Sequence, residues 1–236
     1  MNRAKAVFKK EFLSYFNSTI GYLYLIVFTA LNFWLFFRGF FLMPETDLRP
    51  MFSMFPILFI IFIPAITMRL WAEEKKLGTV EILFTLPIRT EEIILGKFLA
   101  AISFFGISLL LTLPLPLILS FLGNLDWGRT ISGYIGAFLL GSTFISLGMF
   151  LSGFTRNQIV AFILTATLCF LFYIIGENVI ISFLPGFWAD LFSVLSVKTH
   201  FESIARGVID LRDLIYYLSF IGLFIYANYL HLEVAR

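Results

Sequence analysis

The chain has 236 residues, 60% of them hydrophobic and only 14% charged, with a formal net charge of +2. Soluble domains sit near a quarter charged, so a free-standing soluble enzyme or binding module is excluded. The basic residues are scattered over the loops, which gives nucleic acid no footprint as a partner.

Five stretches of 19 or more residues lack Asp, Glu, Lys and Arg: 12–37, 50–68, 98–125, 130–155 and 214–232. A sixth, 157–189, is interrupted only by Glu177. About 20 mostly apolar residues cross the hydrocarbon core as a helix. Lipid offers backbone amides no partner, so such stretches become helices. The expected fold is therefore an all-α polytopic membrane protein with six transmembrane helices.

In chain order, residues 3–17 read as an amphipathic interfacial helix. Ala4, Phe8, Phe12, Tyr15 and Phe16 form its apolar stripe, with Lys5, Lys9 and Lys10 away from it. Asn17-Ser18-Thr19 offers capping side chains and predicts a break before helix 1. The six spans are expected at 20–37, 51–71, 95–122, 131–154, 158–177 and 213–230. The first apolar run, 26 residues long, reads as an uncleaved span. Pro64 is expected to kink helix 2, and Pro114 with Pro116 to disturb helix 3. Helix 4 carries small residues at Ala137/Gly141, Ser142/Ser146 and Gly148/Ser152, a spacing that allows close approach within the subunit. Cys169 stands alone in an apolar run, so no disulfide framework or metal cluster is implied.

After helix 5, residues 178–212 do not fit a plain bundle. The apolar run 178–189 is too short to span, and Pro185-Gly186 breaks it, which suits a re-entrant hairpin. The run that follows it has interfacial character. Orientation follows from Lys and Arg: eleven fall on the side of the N-terminus and six on the other. Both termini, the loop 72–94 and the turn 155–157 are thus expected in the cytoplasm.

Catalytic machinery is hard to find. There is no G-x-x-x-x-G-K-[ST], H-E-x-x-H or G-x-S-x-G. His200 with Glu202, and His231 with Glu233, stand two apart. On a helix those side chains point about 200° apart, a poor geometry for one metal. Glu177 is the one ionisable group inside an apolar stretch. It reads as a polar element at the mouth of a pathway or, more simply, as a headgroup-level carboxylate bonded to backbone where the helix breaks.

The inner loop from Arg69 to Lys97 is the most specific piece. Glu73-Glu74 precede Lys75-Lys76, Gly78 permits a turn, Thr79 is placed to cap a second short helix, and Pro87 ends it. Two helices of about two turns are expected around Gly78. Leu77, Val80, Ile82, Leu83 and Leu86 are too apolar for a loop with nothing to pack against.

The stretch E-E-x-x-x-G-T-x-E-x-L-x-x-x-P, Glu73 to Pro87, with the later Gly96-Lys97, resembles the permease subunits of type-2 ABC exporters. The order of elements over the whole chain is similar too. The run from His200 to Asp213 resembles the small subgroup of gliding-motility and nitrous-oxide-reductase-maturation permeases. The resemblance implies a half-transporter in a bacterial or archaeal cytoplasmic (inner) membrane. It pairs with a second permease, identical or homologous, and docks on a separate ABC ATPase present in two copies. ATP and Mg would be held by that partner, with no cofactor in this chain. The loop after helix 2 would hold the coupling helices, carried onto Glu73, Glu74, Lys75, Lys76, Leu77, Gly78, Thr79, Glu81 and Leu83. The outer hairpin would close the exit, with Glu177, Pro185 and Gly186 as gate candidates. The rival readings are a mechanical transmission subunit acting through an extracytoplasmic auxiliary protein, a stand-alone secondary carrier or channel, and an integral membrane enzyme.

Overall fold

The computed structural model describes residues 2–40, 47–85, 87–183 and 185–234. Expectations for residues 41–46 of the first outer loop, for Leu86 and for Arg236 lie outside them. The described residues form helices and turns without a strand. In order these are α1 Asn2–Phe16, α2 Thr19–Phe40, α3 Arg49–Thr67, α4 Arg69–Leu77, α5 Thr79–Thr85, α6 Thr90–Leu110 and α7 Pro114–Leu122. They continue with α8 Trp127–Ser152, α9 Gln158–Ile174, α10 Asn178–Phe183, α11 Gly186–Leu195, α12 Val197–Ala205 and α13 Leu211–Val234.

Local chemistry sets the boundaries. Ser18 Oγ accepts the Ile20 amide at 3.3 Å, which separates α1 from α2. Asp126 caps α8 by accepting from the Arg129 amide at 3.1 Å, and Asn157 caps α9 by accepting from Ile159 at 2.9 Å. Proline has no amide to donate, so α6 ends at Leu110 and α7 begins at Pro114. The start of α6 lies five residues before the expected position 95. The Arg89 amide donates to Glu92 Oε2 at 3.2 Å, and this capping box carries the helix beyond the apolar stretch.

Five helical runs are long and apolar enough to cross a membrane: Thr19–Phe40, Arg49–Leu77, Thr90–Leu122, Trp127–Ser152 and Leu211–Val234. The expected sixth crossing, 158–177, is a 17-residue helix that ends at Ile174. At 1.5 Å per residue it is about 26 Å long, a little under the ~30 Å hydrocarbon core.

The centre of the bundle is α8, which packs on α3, α6, α9, α12 and α13. Its small residues make that possible. A Cβ on Gly141 would collide with the Phe105 ring of α6, and one on Gly148 with Thr67 of α3 and Thr165 of α9. A Cβ on Gly136 would press on Ile204 of α12 at 3.0 Å. The close approaches expected of this helix are therefore made within the chain.

The helix α12 seats Val197, Phe201 and Ile204 inside the bundle, all fully buried. Gly176 and Ser196 approach so closely that a Cβ on the glycine would overlap the serine side chain. By contrast, α11 has no buried residue.

Candidate functional site

The loop between the second and third long runs is two helices joined by a left-handed glycine. Gly78 has φ +70° and terminates α4, its amide returning to the Glu74 carbonyl. A residue with a Cβ is strained in that conformation. The Thr79 hydroxyl donates back to the same carbonyl at 3.3 Å and so closes α4.

The nine expected coupling residues divide by exposure. Glu73, Lys76, Leu77, Gly78, Thr79 and Glu81 are exposed, Leu77 to 67%. Glu74, Lys75 and Leu83 are half-buried. The reason lies in three other helices.

Lys97 of α6 is 1% exposed, and its ammonium is fully committed. It reaches Glu11 of α1 at 3.0 Å, Glu74 of α4 at 2.9 Å and the Leu70 carbonyl at 2.9 Å. It also sits 4.9 Å from the centre of the buried Trp71 ring. A buried ammonium is tolerated only when paired in this way. Lys10 approaches Glu11 and Glu74 from the exposed side at 3.6 and 3.5 Å. Beside this cluster Gly96 lets α1 lie directly on α6: a Cβ there would stand 2.8 Å from Val7 and 3.0 Å from the Ala4 carbonyl. The Arg69 guanidinium lies over the Tyr15 ring at 4.2 Å and donates to Ser14 at 2.8 Å, tying α1 to the start of α4.

Lys75 turns to the opposite side. It donates to the Gly153 carbonyl at the end of α8, which also accepts from His231 Nε2 of α13 at 3.1 Å. His231 stacks on Phe154 with centroids 4.1 Å apart. His200 is likewise committed, with Nδ1 2.6 Å from Asp213 and Nε2 3.0 Å from the Val194 carbonyl. Each histidine thus has partners other than the glutamate two residues away.

A cleft of about 400 Å³ opens between α1, α2, α3 and α9. Its walls are apolar, with Tyr24, Val27, Ile61, Phe62 and Phe162. Ser18, Arg69, Glu73 and Gln158 supply polar groups to it.

At the other end of the bundle Glu177 follows α9 and pairs with Lys198 of α12 at 2.8 Å. Pro185 and Gly186 open the exposed helix α11. The Lys198 ammonium holds the Glu177 carboxyl below the ordinary carboxylate range, against a smaller upward push from burial; the Tyr173 hydroxyl adds to the lowering. The bridge therefore stabilises at neutral pH, and its contribution is lost as pH falls from the ordinary carboxylate range through the lowered value. Both partners are partly exposed, so the effect is small and local. Hydrogen exchange in residues 175–200 is expected to quicken over that acid window in the wild type. Lys198→Met should remove that step, and an unchanged acid response in the variant would contradict the pairing.

Sequence reasoning missed Glu11 and gave Lys97 no role. The signal for Glu11 was present: it sits four residues from both Val7 and Tyr15, inside the buried stripe of α1. A carboxylate there calls for a cation from elsewhere in the chain. The Gly153 carbonyl leaves no mark in sequence at all.

Long apolar helices around a small-residue core, with a charged loop hinged at a left-handed glycine, define a multi-pass membrane protein. The family model described as ABC-2 family transporter protein matches residues 40–225. The chain belongs to that family, and is a permease subunit of an ABC-type transporter, a membrane component that is not itself catalytic. A search of curated proteins gives no match.

Proposed function

We propose that this permease forms half of an exporter-type pathway, couples through α4 and α5 to ABC ATPase subunits in two copies, and pairs with a second permease, identical or homologous. In this reading the chain crosses a bacterial or archaeal inner membrane six times, α9 included, with both termini and residues 72–94 in the cytoplasm. The likeness of the His200–Asp213 run to gliding-motility and nitrous-oxide-reductase-maturation permeases supports a place in that subgroup. The exposed apolar faces of α2 and α9, which flank the 400 Å³ cleft, are the surfaces offered to the second permease. Crosslinks from α2 or α9 between subunits are the corresponding expectation; crosslinks through α8 alone contradict it. Glu177, Pro185 and Gly186 are assigned to the outer gate.

The observation that carries the reading is the Gly78 hinge. It ends a charged helix in a conformation that presents Leu77, 67% exposed, beside Lys76 and Glu81. A docking contact draws most of its energy from a few apolar anchors, with charges at the rim setting register. Gly78→Val is expected to leave the protein inserted in the membrane but to weaken ATPase association or uncouple hydrolysis. Leu77→Asp places an unpaired charge at the contact and should cost about 2 kcal/mol, roughly 30-fold in affinity. Co-purification of the ATPase and its hydrolysis rate in lipid measure both. If both variants retain full association and activity, the coupling assignment fails.

The helix α11, which has no buried residue, gives the mechanical reading its one specific support, as an outer surface for an extracytoplasmic protein. A cargo-uptake assay in inside-out vesicles separates the two: ATP-driven accumulation supports export, and its absence from an actively hydrolysing complex supports force transmission.

A further inference from the structure

Glu74 and Lys75 are neighbours on α4, yet they are tied to different parts of the molecule. Successive helical side chains point about 100° apart, so adjacent residues reach separate neighbours. Glu74 faces the buried Lys97 of α6 and, through it, Glu11 of α1. Lys75 faces the end of α8, where Gly153 is also held by His231 of α13. The two attachments involve no common side chain.

The Glu74 attachment is made through a single atom. Oε1 takes both ammonium groups, Lys97 at 2.9 Å and Lys10 at 3.5 Å, while the buried Oε2 has no hydrogen-bond partner. A carboxylate engaged through both oxygens fixes orientation as well as distance. One engaged through one oxygen fixes distance and leaves rotation free. Lys75, a flexible chain on a carbonyl, is likewise a tether of set length.

We propose that Glu74 and Lys75 are positioning residues that divide the movement of the coupling helix between two halves of the bundle. Glu74 carries it through Lys97 and Glu11 to α1 and α6, and Lys75 carries it through the Gly153 carbonyl to α8 and α13. The inference rests on the coupling role given above to α4. It adds that α4 works as a lever with two separable outputs, and that its inward charges, unlike exposed Leu77, do not serve to hold the ATPase.

Truncating either residue leaves a satisfied partner behind. In Glu74→Ala the Lys97 ammonium keeps Glu11 at 3.0 Å and the Leu70 carbonyl at 2.9 Å. In Lys75→Ala the Gly153 carbonyl keeps His231 at 3.1 Å. Both variants are therefore expected to fold and to co-purify with the ATPase.

The test is hydrogen–deuterium exchange on the permease–ATPase complex in lipid nanodiscs, with and without a non-hydrolysable ATP analogue. In the wild type the analogue should change exchange on the order of 5-fold or more in two places, residues 2–16 and residues 225–234. Glu74→Ala should abolish the response in 2–16 and keep it in 225–234. Lys75→Ala should do the reverse, and Lys75→Arg, which keeps a donor, should restore it. If both places respond in each variant as in the wild type, or fall silent together, the lever has no separable outputs and the inference is overturned. If the wild type itself binds the ATPase but shows no response anywhere in residues 69–85, the coupling role of α4 is what fails.

Discussion

Lys97→Met is expected to lower the thermal midpoint of the purified protein by roughly 10 °C. The substitution is close in shape but removes the one cation buried between Glu11 and Glu74. Breaking a buried ion pair from one side costs about 3–5 kcal/mol, because the remaining charge loses its partner, and each kcal/mol is worth about 2–4 °C in a chain of this size. Lys10 softens the loss only slightly. Its side chain is 67% exposed and its contacts are already longer than those of Lys97. The triple variant Lys97→Met, Glu11→Gln, Glu74→Gln removes the stranded charges together and should recover most of the midpoint. Differential scanning fluorimetry in detergent compares the three proteins. A single variant that melts with the wild type would show that the cluster is not held as a charged unit.

Gly141→Val should have an effect of the same order by an unrelated mechanism. The added atoms have nowhere to go, because the Phe105 ring occupies the space and is itself fully buried. Overpacking of this kind costs about 1–3 kcal/mol or more, and separating α8 from α6 would also loosen the seats of α3 and α12 on the same helix. Gly222→Val supplies the contrast, since a Cβ at that position of α13 meets nothing within 4 Å. The expected result is a clear loss of folded yield for the first and little change for the second, measured by size-exclusion chromatography after extraction. Equal yields would mean that α8 and α6 separate without penalty.

The parts of the fold that could be read from sequence are those fixed by residues close together in the chain. Ser18 marks the end of α1 because its hydroxyl serves the amide two residues on. Gly78 marks the loop hinge because a left-handed turn favours a residue without a Cβ. Pro114 marks the break between α6 and α7 for want of an amide.

Facing was harder to read. A charged helix beneath a membrane shows the same pattern whether its glutamates meet water or a buried lysine, and Glu11 and Lys97 are 86 positions apart. The amphipathic pattern of α12 suits a membrane surface and a groove of the bundle equally well. What decided was the flat glycine face of α8, whose Gly136 receives Ile204. The expected span runs past the end of α9 because Ile175 extends the apolar stretch up to the charge at Glu177. There the chain turns to let Ser196 close against Gly176.

The Lys97 cluster also bears on how the chain is assembled. Glu11 is synthesised 86 residues before the ammonium that pairs with it in the bundle. A nascent chain that has emerged only as far as Gly96 holds both Glu11 and Glu74, and the sole lysine of the cluster then available is the exposed Lys10. The first helix therefore cannot reach its final seat on α6 in step with its own synthesis. Until the third long run delivers its cation, the Glu11 carboxylate lacks the partner that holds it in the bundle. Docking of the N-terminal segment thus reports that the chain has inserted at least through Lys97.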